Sequence, residues 1–378
     1  MHLIPILCIA LSPIQIDGSF NDWAPGVTLQ DDSKFLYTLI EIPTESCLQQ
    51  LPEQKVVSLG QYTIFFSPKS KGYGVSCKKG DAWISPYEAG VVFAPTTASL
   101  KFELRVNKSD VEMPTSLFSL KPEGDFRVVS WNVEFGNLLQ DKERGARILK
   151  ALQPNILLIQ ELNGEDTPEL LRQFLDETLG RKWNVDATPV HGTKRHQRLR
   201  SAIATSNEAE FVTKMGKFKA LYAVVTIETN PIHCFSIHLR CCGGATGEAE
   251  EQRQEEAKKI RTVLDSIQTS GCIIGGDWNL VGTKKPLEIV QDGTLAIVEA
   301  FQPDGLLNAT WSDTTSSFTP GRLDWMLYSP KTFEVVKSFV LDTADLDSNS
   351  LIANDLQSDD TKELSDHLPL VADFRILK

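Results

Sequence analysis

Acidic, amide and imidazole side chains recur where strand-like runs of this sequence end. Ser130-Trp131-Asn132 closes one run, Ile159-Gln160-Glu161 another and Ser236-Ile237-His238-Leu239 a third. Gly275-Gly276-Asp277-Trp278-Asn279 and Arg322-Leu323-Asp324-Trp325 follow, and Ser365-Asp366-His367-Leu368-Pro369-Leu370 lies near the end. Carboxylates and amide oxygens suit hard cations. Imidazoles carry protons near neutral pH. Strand ends are where α/β architectures gather ligand sites.

Each of these residues also has a plainer reading. Asn132 could be a turn residue and Glu161 a solvated strand terminus. Gly-Gly-Asp-Trp-Asn could be a simple turn, since Gly, Asp and Asn favour turns. Ser365-Asp366 could cap a local turn. A lone histidine at a strand end is more often structural than catalytic.

The elements that would position them change texture along the chain. From Phe126 onward strand-like and helical runs alternate. Strands are expected at Arg127 to Trp131, Asn155 to Gln160, Ser201 to Thr205, Tyr222 to Ile227, His233 to His238, Cys272 to Gly276, Leu323 to Tyr328 and Leu370 to Phe374. Lys142 to Leu152 is amphipathic, with Ile148, Leu149 and Leu152 on one face. Thr167-Pro168 opens a helix with a cap and a proline at its first position. Gly247 to Ile267 reads as a long charged helix. This mixture implies a two-sheet sandwich or a doubly wound sheet with helices outside.

Before Phe126 the texture is β. The runs Phe35 to Ile40, Tyr62 to Phe66 and Leu100 to Val106 are separated by Gly, Pro, Ser and Asp clusters, which fits a small β-sandwich over residues 14–113. Residues 114–124 read as a linker and 125–378 as the second domain. A chain of 378 residues is long for one core, so two domains are expected. The formal net charge of −12 argues against a broad basic footprint for duplex nucleic acid. Phosphate contacts must then come from a local patch or a bound cation.

The apolar run Leu3 to Leu11 is read as the core of a secretory signal at residues 1–13, which would make the protein secreted or periplasmic. Its other reading is a first strand. It is too short to span a bilayer, and no other segment approaches that length. Of seven cysteines, Cys47 and Cys77 are one conceivable pair, Cys234 and Cys272 read as buried thiols, and Cys241-Cys242 are adjacent after a strand. The absence of a CxxC pattern argues against structural zinc.

Taken together and in order, the strand-end motifs resemble those of the endonuclease/exonuclease/phosphatase superfamily, the deoxyribonuclease-I-like proteins. The likeness runs from about Phe126 to Ile376. It implies a four-layered α/β sandwich with the site at one edge of two packed sheets, preceded here by the small all-β sandwich. It also implies a divalent-metal-dependent phosphoesterase in which water attacks in line, with a phosphodiester, nucleic acid among them, as substrate.

On that resemblance Glu161 with the Asn132 amide is the first cation site, and Asp366 a second or alternative one, for Mg²⁺ or Mn²⁺. Glu134 is either an outer contact or an exposed loop carboxylate. Asp277 would orient or deprotonate the water, with Asn279 holding it or the phosphate, and His367 is the alternative base. His367 would donate to a non-bridging phosphate oxygen, its tautomer fixed by Asp324, and His238 would protonate the leaving oxygen. Within the basic run Lys194 to Arg200, Arg200 is the candidate phosphate reader, and Arg240 is a second. Arg253 more naturally pairs with neighbouring glutamates.

Ile16 to Trp23 and Phe102 to Ser109 resemble segments of carbohydrate-binding modules of the family 9 type. That likeness implies a glycan partner, with Asp17 and Asp22 either binding Ca²⁺ or closing turns, and Trp23 in the core. Two further functional readings stand beside the leading one. One is a phospholipid or inositol phosphate phosphoesterase. The other is an inert binding protein, against which the intact Glu161, Asp277, Asn279, Asp366 and His367 argue.

Overall fold

The computed structural model describes residues 14, 16, 22–41, 54–68, 73–86, 89–93, 101–108, 118–212, 218–243, 246–267, 271–281, 283–303, 308–313 and 321–377. The expected signal run, Asp17, Cys8 and Cys47 lie outside the described residues. No helix among the described residues is long and apolar enough to cross a membrane.

Near-continuous apolar runs build the centre of each large sheet, as expected of strands covered on both faces. β9 (Phe126–Asn132) and β10 (Ile156–Leu162) pair in parallel. Around them, β11 (Asn184–Ala187), β12 (Arg200–Thr205), β19 (Phe333–Val340) and β20 (Leu370–Ile376) complete a sheet of order β11-β12-β10-β9-β20-β19. The second sheet has the order β13-β14-β15-β16-β18-β17. Its members are β13 (Glu208–Val212), β14 (Lys219–Ile227), β15 (Asn230–His238), β16 (Cys272–Asp277), β17 (Ala296–Ile297) and β18 (Asp324–Tyr328). Here too the central pair, β15 with β16, is parallel and the other pairings are antiparallel.

The two sheets face each other across Val128, Ile156, Leu158 and Ile203 on one side and Leu221, Ala223, Ile232, Ile273 and Met326 on the other. Helices cover both outer faces. α1 (Asn137–Gln140), α2 (Lys142–Leu152), α3 (Pro168–Leu179), α6 (Ser348–Ala353) and α7 (Asp360–Leu364) accompany the first sheet. Ile148 and Leu149 of α2 and Leu171 and Phe174 of α3 pack there on Val129, Trp131, Leu157 and Ile159. On the second sheet, α4 (Glu248–Ser266) and α5 (Lys285–Gln291) set Ala257, Ile260, Leu287 and Val290 against Phe235, Ile274 and Trp325. The architecture is therefore a four-layered α/β/β/α sandwich. The expected Thr167 cap is present, its side chain accepting from the Leu170 N–H, with Pro168 at the helix start.

Two antiparallel four-stranded sheets precede this unit. One has the order β1-β2-β8-β7 and the other β3-β4-β5-β6. They comprise β1 (Leu29–Asp31), β2 (Phe35–Glu41), β3 (Lys55–Leu59), β4 (Tyr62–Pro68), β5 (Tyr73–Lys79), β6 (Ala82–Ile84), β7 (Val92–Phe93) and β8 (Lys101–Asn107). Ile40, Ile64, Phe66, Cys77, Leu104 and Val106 form their shared core. Trp23 is buried, as expected, and its Nε1 donates to Glu103 Oε1 at 2.8 Å. Cys77 is a free buried thiol, and Cys47, its conceivable partner, lies outside the described residues.

One boundary differs from the sequence reading. Residues 118–124 were expected in a linker, but Leu120 is buried and Phe118 packs edge-on against Phe339 at 5.1 Å. The Arg127 guanidinium holds this segment. Its Nη1 donates to the carbonyls of Leu120 and Leu152, each at 2.7 Å, while Nε and Nη2 bind Asp373 at 2.5 and 2.7 Å. Removing one partner of a buried pair of this kind typically costs about 3–5 kcal/mol. The proline and glycine of the segment signalled a turn. Its two large apolar residues carry the opposite message.

Candidate active site

The carboxyl ends of β9, β10, β15 and β16 meet the amino ends of β18 and β20 at one edge of the sheets. Asp277 is the point of convergence. Its Oδ2 accepts from Asn132 Nδ2 at 3.1 Å and Asn279 Nδ2 at 3.0 Å, and its Oδ1 accepts from the Asn279 N–H at 2.9 Å. His238 Nε2 stands 3.6 Å and His367 Nε2 3.8 Å from Oδ2. Two glycines make this approach possible. A Cβ on Gly276 would lie 1.9 Å from the Ile237 carbonyl oxygen, and one on Gly275 would lie 2.8 Å from Leu158 Cδ1 of the facing sheet.

Glu161 is aimed into the site by a backbone irregularity. The β10–β12 register shifts between Ile159 and Leu162, and Glu161 has φ 60. Such a bulge leaves one residue out of the ladder and re-aims its side chain. Glu161 Oε1 lies 3.7 Å from His238 Nε2, and Oε2 accepts from the Phe135 N–H at 3.3 Å. Left-handed backbone recurs beside it at Glu134 (φ 36), Phe135 (φ 54) and Asn279 (φ 48). Clustered outliers of this kind are typical of functional sites. Behind them, Ser236 Oγ donates to the Ile159 carbonyl at 2.9 Å and accepts from Gln160 Nε2 at 3.0 Å, tying the sheets together.

The two histidines differ in state. His367 Nδ1 lies 2.7 Å from Asp324 Oδ2. Burial pulls the His367 ring down, but Asp324 and Asp277 outweigh it and raise it to about 10. The ring is therefore cationic at neutral pH. Its backbone is fixed by the Ser365 hydroxyl, which accepts from His367 N–H at 3.0 Å, and by Trp131 Nε1, which donates to the His367 carbonyl at 3.0 Å. His238 is the reverse. Burial, with Lys219 and His367 adding to it, holds this ring well below the ordinary histidine range, and so neutral.

The donor set fits a divalent cation. Ligand atoms of Glu161, His238 and Asp277 lie within 4.8 Å of one another, as do those of Asp277, Asp324 and His367. Burial pushes the Asp277 carboxyl up, and Asp324 and Glu161 add to this against the pull of His367, to about 8. An excess of buried negative charge is what a bound cation relieves. Asp324 Oδ1 is also buried without a hydrogen-bond partner among the described residues.

Asp366 stands outside those two groups. Its N–H donates to Glu134 Oε2 at 3.2 Å, and its Oδ2 accepts from Trp311 Nε1 at 2.8 Å. Glu134 is half-buried, and burial followed by the Asp366 charge raises its carboxyl above the ordinary range. The pair forms a second acidic position beside the first.

Arg200 differs most from its sequence reading. It is buried, and its guanidinium donates to main-chain carbonyls of Thr188 at 2.5 Å, Asp166 at 3.2 Å and Ala187 at 3.4 Å. These contacts fasten the segment before β12 to its neighbours and turn the cation away from a phosphate-reading role. Within the same basic run, the Arg195 guanidinium lies 3.7 Å from the centre of the Phe135 ring, next to Glu161's backbone partner. Arg240 is exposed. Arg253 binds Glu250 at 2.8 Å, as expected.

Sequence reasoning missed Lys219. It pairs directly opposite His238 in the β14–β15 register, and directly opposed residues of antiparallel strands project on the same face. Burial lowers its ammonium, opposed first by the Glu161 carboxylate. No local motif marks it. Only the strand register brings it to the site.

A sequence profile of the Endonuclease/Exonuclease/phosphatase family matches residues 129–367. No curated protein matches the chain. Among solved structures, the catalytic domain of human Nocturnin with bound sulfate is 20% identical, with a TM-score of 0.46 over 68% of this chain and 97% of that one. A family protein from Bacteroides thetaiotaomicron is 18% identical, with a TM-score of 0.47 over 68% and 99%. A humanized D. rerio TDP2 is 18% identical, with a TM-score of 0.45 over 66% and 98%.

Proposed function

Because the chain belongs to the endonuclease/exonuclease/phosphatase family and is a metal-dependent hydrolase of phosphate esters, we propose that it cleaves phosphodiesters by in-line attack of water at Asp277. The observation that carries this reading is the convergence of Asn132, Asn279, His238 and His367 on that one carboxylate.

A divalent cation held by Glu161, with Asn132 alongside, neutralises the phosphate when bound, and Mg²⁺ suits such oxygen donors. Mn²⁺ is the natural substitute. Asp366 with Glu134 is the second or alternative position. Asp277, whose raised carboxyl would be ionised once a bound cation relieves the buried negative charge, accepts a hydrogen bond from the attacking water and draws off its proton, while Asn279 fixes the carboxylate. The water oxygen bonds to phosphorus as the ester P–O bond breaks. Cationic His367, held by Asp324, donates to a non-bridging oxygen as negative charge builds there. His238, neutral, donates a hydrogen bond to the leaving oxygen in place of delivering a proton from a charged ring, and the departing alkoxide takes its proton from solvent water.

With a net charge of −12, the protein must hold its substrate by local cations. Lys219 opposite His238, Arg195 on Phe135 and Arg240 beyond His238 supply them. A small or single-stranded diester suits that footprint better than a long duplex.

The test is an assay of the full chain on an aryl phosphodiester and on single- and double-stranded nucleic acid, with Mg²⁺, Mn²⁺ or EDTA. Turnover should fall about 10²–10⁴-fold in His367→Ala and in Glu161→Ala, and cease in EDTA. Turnover indifferent to both substitutions would refute the assignment.

A further inference from the structure

Three residues beyond His238, where β15 ends, the chain presents two adjacent cysteines to solvent. Cys241 and Cys242 are both free and exposed, and their sulfurs lie 3.0 Å apart. That is inside ordinary van der Waals contact and about 1 Å beyond a covalent S–S bond. The other described thiols, Cys77, Cys234 and Cys272, are buried.

The backbone holds the pair in place. Cys242 has φ 67, in the left-handed region. The buried Arg253 donates from Nη1 to the carbonyl of Arg240 at 2.9 Å and to that of Cys242 at 2.8 Å, clamping the dipeptide from both sides. The link to the site is short. The Leu239 carbonyl accepts from Asn279 Nδ2 at 3.2 Å, and the Leu239 N–H donates to the Asp277 carbonyl at 3.0 Å.

We propose that Cys241 and Cys242 are a reversible dithiol–disulfide couple that low-molecular-weight disulfides oxidise, and that closing the bond slows the neighbouring phosphoesterase site. The consequence for turnover rests on the function proposed above, whereas the thiol chemistry does not. One cysteine sulfur, as thiolate, attacks a sulfur of the external disulfide and expels one thiolate. The second cysteine then attacks the mixed disulfide, forms the Cys241–Cys242 bond and expels the other. The two cysteine protons end on the two thiols released, so the protein is oxidised and the external disulfide reduced.

Cys242 suits the first step. The hydrogen bond shared with Cys241 holds its thiol down at about 6, with Arg240 and Arg253 assisting against burial. A thiolate present at neutral pH is the attacking species. Reversibility follows from geometry. Neighbouring Cα atoms are about 3.8 Å apart across a trans peptide, closer than the usual disulfide span of about 4.4–6.8 Å. The ring is strained, and strained, exposed disulfides are the readily reduced ones. Closing it twists the 241–242 peptide against the Arg253 clamp, two residues from the Leu239 contacts to Asn279 and Asp277.

The experiment incubates the full chain with oxidised glutathione, alkylates the remaining thiols and digests with trypsin. Cleavage after Arg240 and Arg253 releases one peptide carrying both cysteines. The expected product is that peptide without alkyl groups and lighter by two hydrogens, reverting to a doubly alkylated form after dithiothreitol. Turnover should fall on the order of tenfold on oxidation and recover on reduction, whereas Cys241→Ser and Cys242→Ser should keep their reduced turnover throughout. A peptide that stays doubly alkylated, or carries only a glutathione adduct, would overturn the couple. A closed ring with unchanged turnover would overturn its control of the site. A reduced protein with no turnover would refute the proposed function, and the peptide mass would still decide the couple.

Discussion

His367 Nδ1 and Asp324 Oδ2 are joined at 2.7 Å across residues 43 positions apart in sequence, both buried. The carboxylate comes from the first residue of β18, and its own N–H is anchored on Thr310 Oγ1 at 2.9 Å. The pair therefore sets both the charge and the tautomer of the ring. Asp324→Asn keeps the shape and removes the charge that offsets burial of the imidazolium. We expect kcat to fall about 10²–10⁴-fold, with KM changed far less and the circular dichroism spectrum retained. A variant within a few-fold of the parent would remove His367 from the chemistry.

The cation prediction has a readout that needs no turnover. Asp277, Asp324 and Glu161 bring negative charge together in a buried space. A cation that binds only the folded state stabilises it by about 2.7 kcal/mol at a hundred times its Kd. Titrating Mg²⁺ or Mn²⁺ into EDTA-stripped protein should raise the thermal midpoint by several degrees, and Glu161→Gln should lose most of that rise. An equal rise in parent and variant would place the ion elsewhere.

Much of this arrangement was legible because the site residues sit at strand ends, and strand ends are marked by a change from apolar to polar. Asn132, Glu161, His238 and Asp277 follow that rule, whereas His367 stands three residues before β20. Their mutual distances do not come from any local signal. Asp277 reaches His238 because Gly276 lets β15 and β16 approach, and the same glycines read locally as a turn. Arg200 misled for the matching reason. A basic run looks alike whether its guanidinium faces solvent or three carbonyls, and burial distinguishes the two. Lys219 was invisible because its role depends on the nine-residue register of β14 with β15. The short, half-exposed β13 lacks the continuous apolar run that announced its neighbours.

The far end of β15 carries a stability switch independent of the site. His233 is buried, its Nδ1 lies 2.5 Å from the Tyr222 hydroxyl, and burial lowers its pKa below the ordinary histidine value. The unfolded chain, with an ordinary pKa of about 6.5, binds this proton more readily than the folded one. Stability therefore rises with pH across the interval between the two values. The contribution is fully present above about pH 6.5 and is lost as pH falls toward the folded value. His233→Gln, which stays neutral and can still meet the Tyr222 hydroxyl, should lose this dependence. Urea midpoints measured at neutral and mildly acidic pH should fall further for the parent than for the variant. Parallel decline in both proteins would assign the acid sensitivity to other groups.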